Sequence, residues 1–160
     1  MNQNKQIGLL SLPVFVAALG YFVDVYDLLL FTIVRQTSVM SIGSTAETII
    51  VDSAHIINWQ MSGLLIGGIL WGVLGDKKGR LKVLFGSILL YSVANILTSF
   101  VQNVDQYAYC RFIGGIGLAG ELGAGITLVS EMLPKHKRGI GTSMVAGIGL
   151  FGAVFAYFTF

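Results

Sequence analysis

Charge is scarce in this sequence. Only 11% of its 160 residues are Asp, Glu, Lys or Arg, while 54% are hydrophobic, and the mean hydropathy is +0.78. A soluble domain carries about 25% charged residues, so the composition excludes an ordinary water-soluble globule and points to a membrane protein. Cysteine is nearly missing as well: Cys110 is alone, so no internal disulfide forms. His55 and His136 are isolated, and no metal-ligand spacing exists. The net charge of +2 is modest and follows from where the basic residues fall, so nucleic acid is not an implied partner. Ten-residue segments of alternating hydropathy are lacking too, which excludes a transmembrane β-barrel.

What the chain does contain is long apolar runs. A hydrocarbon core of roughly 30 Å needs about 20 apolar residues per spanning helix. Five stretches qualify: 8–34, 56–75, 81–101, 107–133 and 139–160. The first is too long for a signal peptide and has no small-residue cleavage pattern, so it reads as a retained span. The expected fold is an all-α membrane protein of five transmembrane helices. The one long connection is 35–55, and the other connections are short enough to make consecutive helices antiparallel neighbours. Lys5, then Lys77, Lys78, Arg80 and Lys82, then Lys135, Lys137 and Arg138 fall on alternate connections, which places the amino terminus in the cytoplasm.

Glycine is the commonest small residue of the helices. The second span carries Gly63, Gly67, Gly68, Gly72 and Gly75, with two G-x-x-x-G spacings, and the fourth holds Gly114, Gly115, Gly117, Gly120, Gly123 and Gly125. Small residues let backbones approach where lipid supplies no hydrophobic drive for association. GIGLAG (115–120) and GIGLFG (147–152) both match the dinucleotide pattern G-x-G-x-x-G. That pattern means phosphate binding only between a strand and a helix start. Inside apolar helices it reads as packing.

Four ionisable residues interrupt the spans: Asp24, Asp27, Arg111 and Glu121. Each costs about 3 kcal/mol at mid-bilayer, so such groups face a protein interior or a wet cavity and usually pair. Asp24 and Asp27 share a helix face with Gly20 and Phe31. Taking the spans as written, Asp27 lies six or seven residues below the outer end of its helix and Arg111 about four below its own. Their depths then agree within roughly 5 Å, with Glu121 about 15 Å below Arg111. The expectation is a ladder of acid and base along one cavity. A carboxylate beside an arginine stays ionised and one in an apolar cavity tends to neutrality, so a site with both can exchange a proton. The competing reading is a permanent Asp27–Arg111 ion pair that only joins two helices.

Three motifs carry a family resemblance. GVLGDKKGRLKVL (72–84) resembles the loop between the second and third helices of the major facilitator superfamily, G-x-x-x-D-(R/K)-x-G-R-(R/K), through Gly72, Asp76, Lys77, Gly79, Arg80 and loosely Lys82. RFIGGIGLAGE (111–121) and EMLPKHKRG (131–139) resemble the fourth helix and following loop of its sugar-porter and metabolite:proton symporter branches. YFVDVYDLLLF (21–31) resembles the first helix of phosphate:proton symporters.

The resemblance implies most of the N-terminal six-helix half of a twelve-span fold, with the C-terminal half as partner in the lipid bilayer of the cytoplasmic (inner) membrane. It implies secondary transport of a small polar metabolite, such as a sugar or an organic acid, by alternating access. The coupling would be proton symport driven by the gradient with no other cofactor, or uniport as the alternative. On that view this chain alone does not transport. Asp24, Asp27, Arg111 and Glu121 would serve coupling or substrate contact. Gly72, Asp76, Gly79 and Arg80 would join Glu131 and Arg138 in a cytoplasmic gate.

Two departures qualify it. Glu121-Leu122-Gly123 stands where the phosphate branch has Asp-Tyr-Pro, and the fifth helix lacks the antiporter proline. Two rivals are disfavoured. An intramembrane aspartyl protease would use Tyr26-Asp27 and Leu74-Gly75-Asp76, but Val73 breaks the second motif. A five-helix assembly subunit would need no buried charges.

Overall fold

The computed structural model describes residues 12–159. Among them run five long α-helices: α1 Leu12–Ser41, α2 Ile49–Lys78, α3 Arg80–Thr98, α4 Val104–Met132 and α5 Arg138–Phe158. A 3-10 turn, Lys135–Lys137, precedes α5, and the described residues include no strand. All five helices are long and apolar enough to cross a membrane. Residues 8–11 of the expected first span, Lys5 and Phe160 lie outside the described residues.

The helices overrun the apolar runs that announce them. The hydropathy pattern ends the first span at 34 and begins the second at 56, yet α1 continues to Ser41 and α2 starts at Ile49. The connection shrinks from 35–55 to 42–48. Hydropathy marks the stretch that lipid touches, whereas backbone hydrogen bonding continues through Arg35, Gln36, Thr37 and Ser38, and through Asp52, Ser53 and His55. At 1.5 Å per residue α1 and α2 are each about 45 Å long, well beyond a hydrocarbon core of about 30 Å. Gly43, at φ +104°, stops α1: its N–H donates to the Met40 carbonyl (3.2 Å) and the Ser44 N–H to the Val39 carbonyl (3.3 Å). That is the reversed pairing of a Schellman cap, which needs a left-handed residue at this position. Ser44 Oγ then donates to Asp52 (2.7 Å) in the first turn of α2, where an acid also suits the helix dipole.

The chain divides into two compact units. One joins residues up to Leu29 with Gly125–Phe160. Its core is Val14, Ala17, Ala18, Val129, Leu133 and Val145, with Tyr21 and Ile148 against it. Here α5 presses on α1: a Cβ on Gly149 would strike the Tyr21 ring, and one on Gly152 would strike the Phe22 carbonyl. Phe22 and Phe155 meet edge to face at 5.7 Å beside them.

The other unit is Leu30–Ala124, with Phe31, Val39, Ile49, Ile56, Tyr107 and Ala108 in its core. In it α2 and α4 touch backbone to backbone. A Cβ on Gly63 would meet the Phe112 carbonyl carbon at 3.0 Å, and one on Gly67 the Ile116 carbonyl oxygen at 2.6 Å and Ala119 Cβ at 3.0 Å. The contact advances along both helices together, so α2 and α4 run in the same direction. On its other flank α4 meets α3: a Cβ on Gly117 would meet the Tyr91 backbone at 2.7 Å, and one on Gly120 would meet Ser87 Cβ at 2.6 Å. Trp71 from α2 closes the three-helix junction. Its ring lies against Gly120, and its Nε1–H donates to the Ile116 carbonyl at 2.7 Å. All the glycines of GIGLAG, and Gly149 and Gly152 of GIGLFG, thus form helix seams, while Gly147 faces open space, and both motifs lie inside helices.

Outward, the surface is inverted relative to a soluble protein. Leu65, Phe85, Leu89 and Leu150 stand about two-thirds exposed, as lipid-facing side chains do.

Candidate functional site

Asp24 is 1% exposed, and Asp27, one turn on, is half-buried. The turn that carries them is pinned from one side, because Gly149 and Gly152 bring α5 against Tyr21, Phe22 and the Tyr26 backbone. At 100° per residue both acids project roughly 150° around α1 from that seam. Asp27 lies about 21 Å of helix short of Ser41. The six or seven residues expected from the apolar pattern are too few, because α1 runs on through its polar end.

Arg111 and Glu121 belong to the other unit. The Arg111 guanidinium carbon sits 3.8 Å above the centre of the Phe31 ring and 5.6 Å from that of Tyr107. The two rings meet edge to face at 6.0 Å, and both are almost fully buried. A cation over an aromatic face is attracted by the ring quadrupole, by up to about 2 kcal/mol when desolvated. Glu121 is half-buried on α4. It follows Gly120, which faces Trp71 and Ser87, so it points to the flank of that seam.

The corner between α2 and α3 is one residue long. Gly79 holds φ +92° and ψ 143°, a backbone region that side-chain-bearing residues avoid. Across it Arg80 reaches Asp76 at 2.7 Å. Gly75 makes room for this, since a Cβ there would meet the Arg80 guanidinium at 2.7 Å. Gly72 faces open space. In the first unit, Pro134 and the 3-10 turn separate Glu131, exposed near the end of α4, from Arg138, the first residue of α5. Arg138 Nε donates to the Leu133 carbonyl at 3.1 Å and so caps the end of α4. The residues expected to form a gate are therefore organised as two corners, Asp76–Arg80 in one unit and Glu131–Arg138 in the other.

Where α1 and α3 end and α4 begins, a cavity of about 250 Å³ is lined by Ser38, Ser41, Thr98, Ser99 and Tyr107, with Ile42 and Val101. A groove of about 380 Å³ runs along His55, Asn58, Trp59, Ser62, Ile66 and Phe112. His55 Nε2 stands 3.5 Å from Asp105 at its rim. Among the described residues no three His, Cys, Asp or Glu come together as a metal site.

The profile of the Major Facilitator Superfamily matches residues 14–159, nearly the whole chain. The chain belongs to that superfamily. A Haemophilus influenzae protein named for metabolite transport is 34% identical over 140 residues, covering 86% of this chain and 33% of its own length. The niacin transporter NiaP of Acinetobacter baylyi is 33% identical over 124 residues, 78% of this chain and 27% of its own. Rat synaptic vesicle glycoprotein 2A is 34% identical over 94 residues, 59% of this chain and 13% of its own. The chain thus spans a third or less of the length of these relatives. As a superfamily member with five spanning helices it is a multi-pass membrane protein.

Within the superfamily frame, sequence reasoning missed three contributors. Gly75 adjoins the motif aspartate but is not among the motif positions matched, although it is the glycine Arg80 leans on. Tyr107 precedes Arg111 by four residues on one helix face, a spacing that brings an aromatic beside a cation and that the sequence does display. Trp71 carries no sequence signal for its hydrogen bond, because the acceptor lies 45 residues away on another helix.

Proposed function

We propose that this chain forms the N-terminal helices of a secondary transporter that moves a small polar metabolite across the cytoplasmic membrane by alternating access, coupled to protons. The observation that carries the reading is Asp24, a carboxylate buried to 1% near the middle of an apolar helix, in a superfamily member. A helix that served only as scaffold has no use for that burial cost. Asp24, Asp27, Arg111 and Glu121 are the coupling and substrate residues of this reading. Asp76, Arg80, Glu131 and Arg138 form its cytoplasmic gate, with the amino terminus also cytoplasmic. Ion pairs at a seam between rocking halves make a closure that can be broken and remade. A C-terminal half completes the transporter, and the reading is of a carrier and not an enzyme.

For the substrate, the first class to test is a small organic anion. Arg111 supplies fixed positive charge, and niacin, named for one relative, is a carboxylate at neutral pH. Sugars and polyols are the second class, suited to the acids together with Tyr21, Tyr26 and Gln60. The deciding experiment is uptake of radiolabelled nicotinate, sugars, organic acids and phosphate into vesicles holding the complete transporter, with and without an imposed proton gradient. Gradient-driven accumulation that disappears in Asp24→Asn and Asp27→Asn variants of normal fold is expected. Uptake that only equilibrates, with or without the gradient, would replace symport by uniport. Full activity in both variants would remove the acids from the mechanism.

A further inference from the structure

Arginine does not lose its charge in proteins, so Arg111 must be held by something throughout any transport cycle. A carboxylate is an intermittent holder, because its attraction ends when it takes up a proton. The contacts around Arg111 in the Leu30–Ala124 unit include a holder of another kind. Its guanidinium carbon lies over the Phe31 ring, 3.8 Å from the ring centre, and 5.6 Å from that of Tyr107. The two rings brace each other edge to face, with 78° between their planes. They belong to the same buried cluster as Val39, Ile49, Ile56 and Ala108. Rings fixed in that way have few rotamers to lose and present a stationary surface.

Geometry then decides what such a surface does. The five N–H donors of a guanidinium lie in its plane, while stacking uses only its face. A ring under the face therefore fixes position and tilt and leaves the donor edge with its direction. The attraction is to the ring quadrupole and does not depend on any proton.

We infer that Phe31 and Tyr107 are positioning residues for Arg111: they clasp its guanidinium by the face, so that its donor edge keeps one direction whether or not an acidic partner is charged. This rests on the transport reading for its purpose, but the clasp itself is a separate claim. Packing alone would ask for apolar volume at 31 and 107 and would be indifferent to aromaticity.

The test reads the clasp directly. The chain is labelled with 15N-arginine and placed in lipid nanodiscs, and the Arg111 Nε–Hε resonance is assigned by its loss in Arg111→Lys. Expected is an upfield ring-current displacement of Hε. It should persist in Phe31→Tyr and in Asp27→Asn and vanish in Phe31→Leu, with Tyr107→Leu reducing it as a second variant should Phe31→Leu fail to fold. No displacement in the wild type, or its loss in Asp27→Asn, overturns the clasp. In vesicles of the complete transporter, Phe31→Leu should cut gradient-driven nicotinate accumulation about tenfold, the preference a desolvated cation–π contact confers. Phe31→Tyr should restore accumulation. Full accumulation in Phe31→Leu, or a loss that Phe31→Tyr does not reverse, overturns the inference. Wild-type vesicles that accumulate no nicotinate count against the substrate reading, while the resonance still decides the clasp.

Discussion

Gly63 and Gly68 are five residues apart on one helix, and replacing each by alanine separates seam from surface. At Gly63 the new Cβ meets Phe112 backbone atoms, with the carbonyl carbon at 3.0 Å and Cα at 3.2 Å. No side chain can rotate away, so α2 and α4 must part by roughly half to one ångström. A gap of that size forfeits a quarter to a half of each dispersion contact of about 0.1–0.2 kcal/mol. Over roughly 40 atom pairs along the seam, the loss is about 2 kcal/mol. Alanine's better helix propensity returns about 0.5–1 kcal/mol, leaving a net destabilisation of about 1–1.5 kcal/mol. At Gly68 nothing lies within 4 Å, so only the propensity gain remains and stability holds or rises. Reversible unfolding in mixed detergent micelles, followed by Trp fluorescence and circular dichroism, measures both. A Gly63→Ala variant as stable as Gly68→Ala would refute the backbone seam.

Other perturbations probe the corners and the junction. Gly79→Ala should cost about 1–3 kcal/mol in the same titration, because alanine strains at φ +92°, whereas Gly72→Ala in open space should not lower stability. Trp71→Phe keeps the ring but removes the donor to the Ile116 carbonyl, for a loss of about 0.5–1.5 kcal/mol, and a larger loss would mean the ring itself is displaced. Fluorescent-protein and phosphatase fusions should report residues 42–48 outside the cytoplasm and 133–137 inside it, and the reverse pattern would overturn the orientation read from the basic residues.

The number and type of helices were legible because each span is a long apolar run, and lipid admits few alternatives to a helix. Their ends were not. Hydropathy has nothing to say about 35–41 or 49–55, where helix persists through polar residues, and so the distance from Asp27 to the end of α1 was read too short. Glycine enrichment signalled close packing, but whether Gly63 or Gly68 faces the partner depends on a helix that the local sequence does not contain. The motif named Asp76 and Arg80 as members of a larger cluster, whereas their contact with each other follows from both lying within one turn of the corner. The Phe31 stack could not be read: sequence places Phe31 on the face of Asp24 and Asp27, and only the fold lays Arg111, 80 positions later, over its ring.

The single-residue corner at Gly79 has a mechanical consequence. With only one amino acid between Lys78 and Arg80, no slack exists for the adjoining ends of α2 and α3 to drift apart. Any force that tips one of them hauls the other along, and the pair behaves as one bent lever whose elbow is stiffened by the Asp76–Arg80 strut.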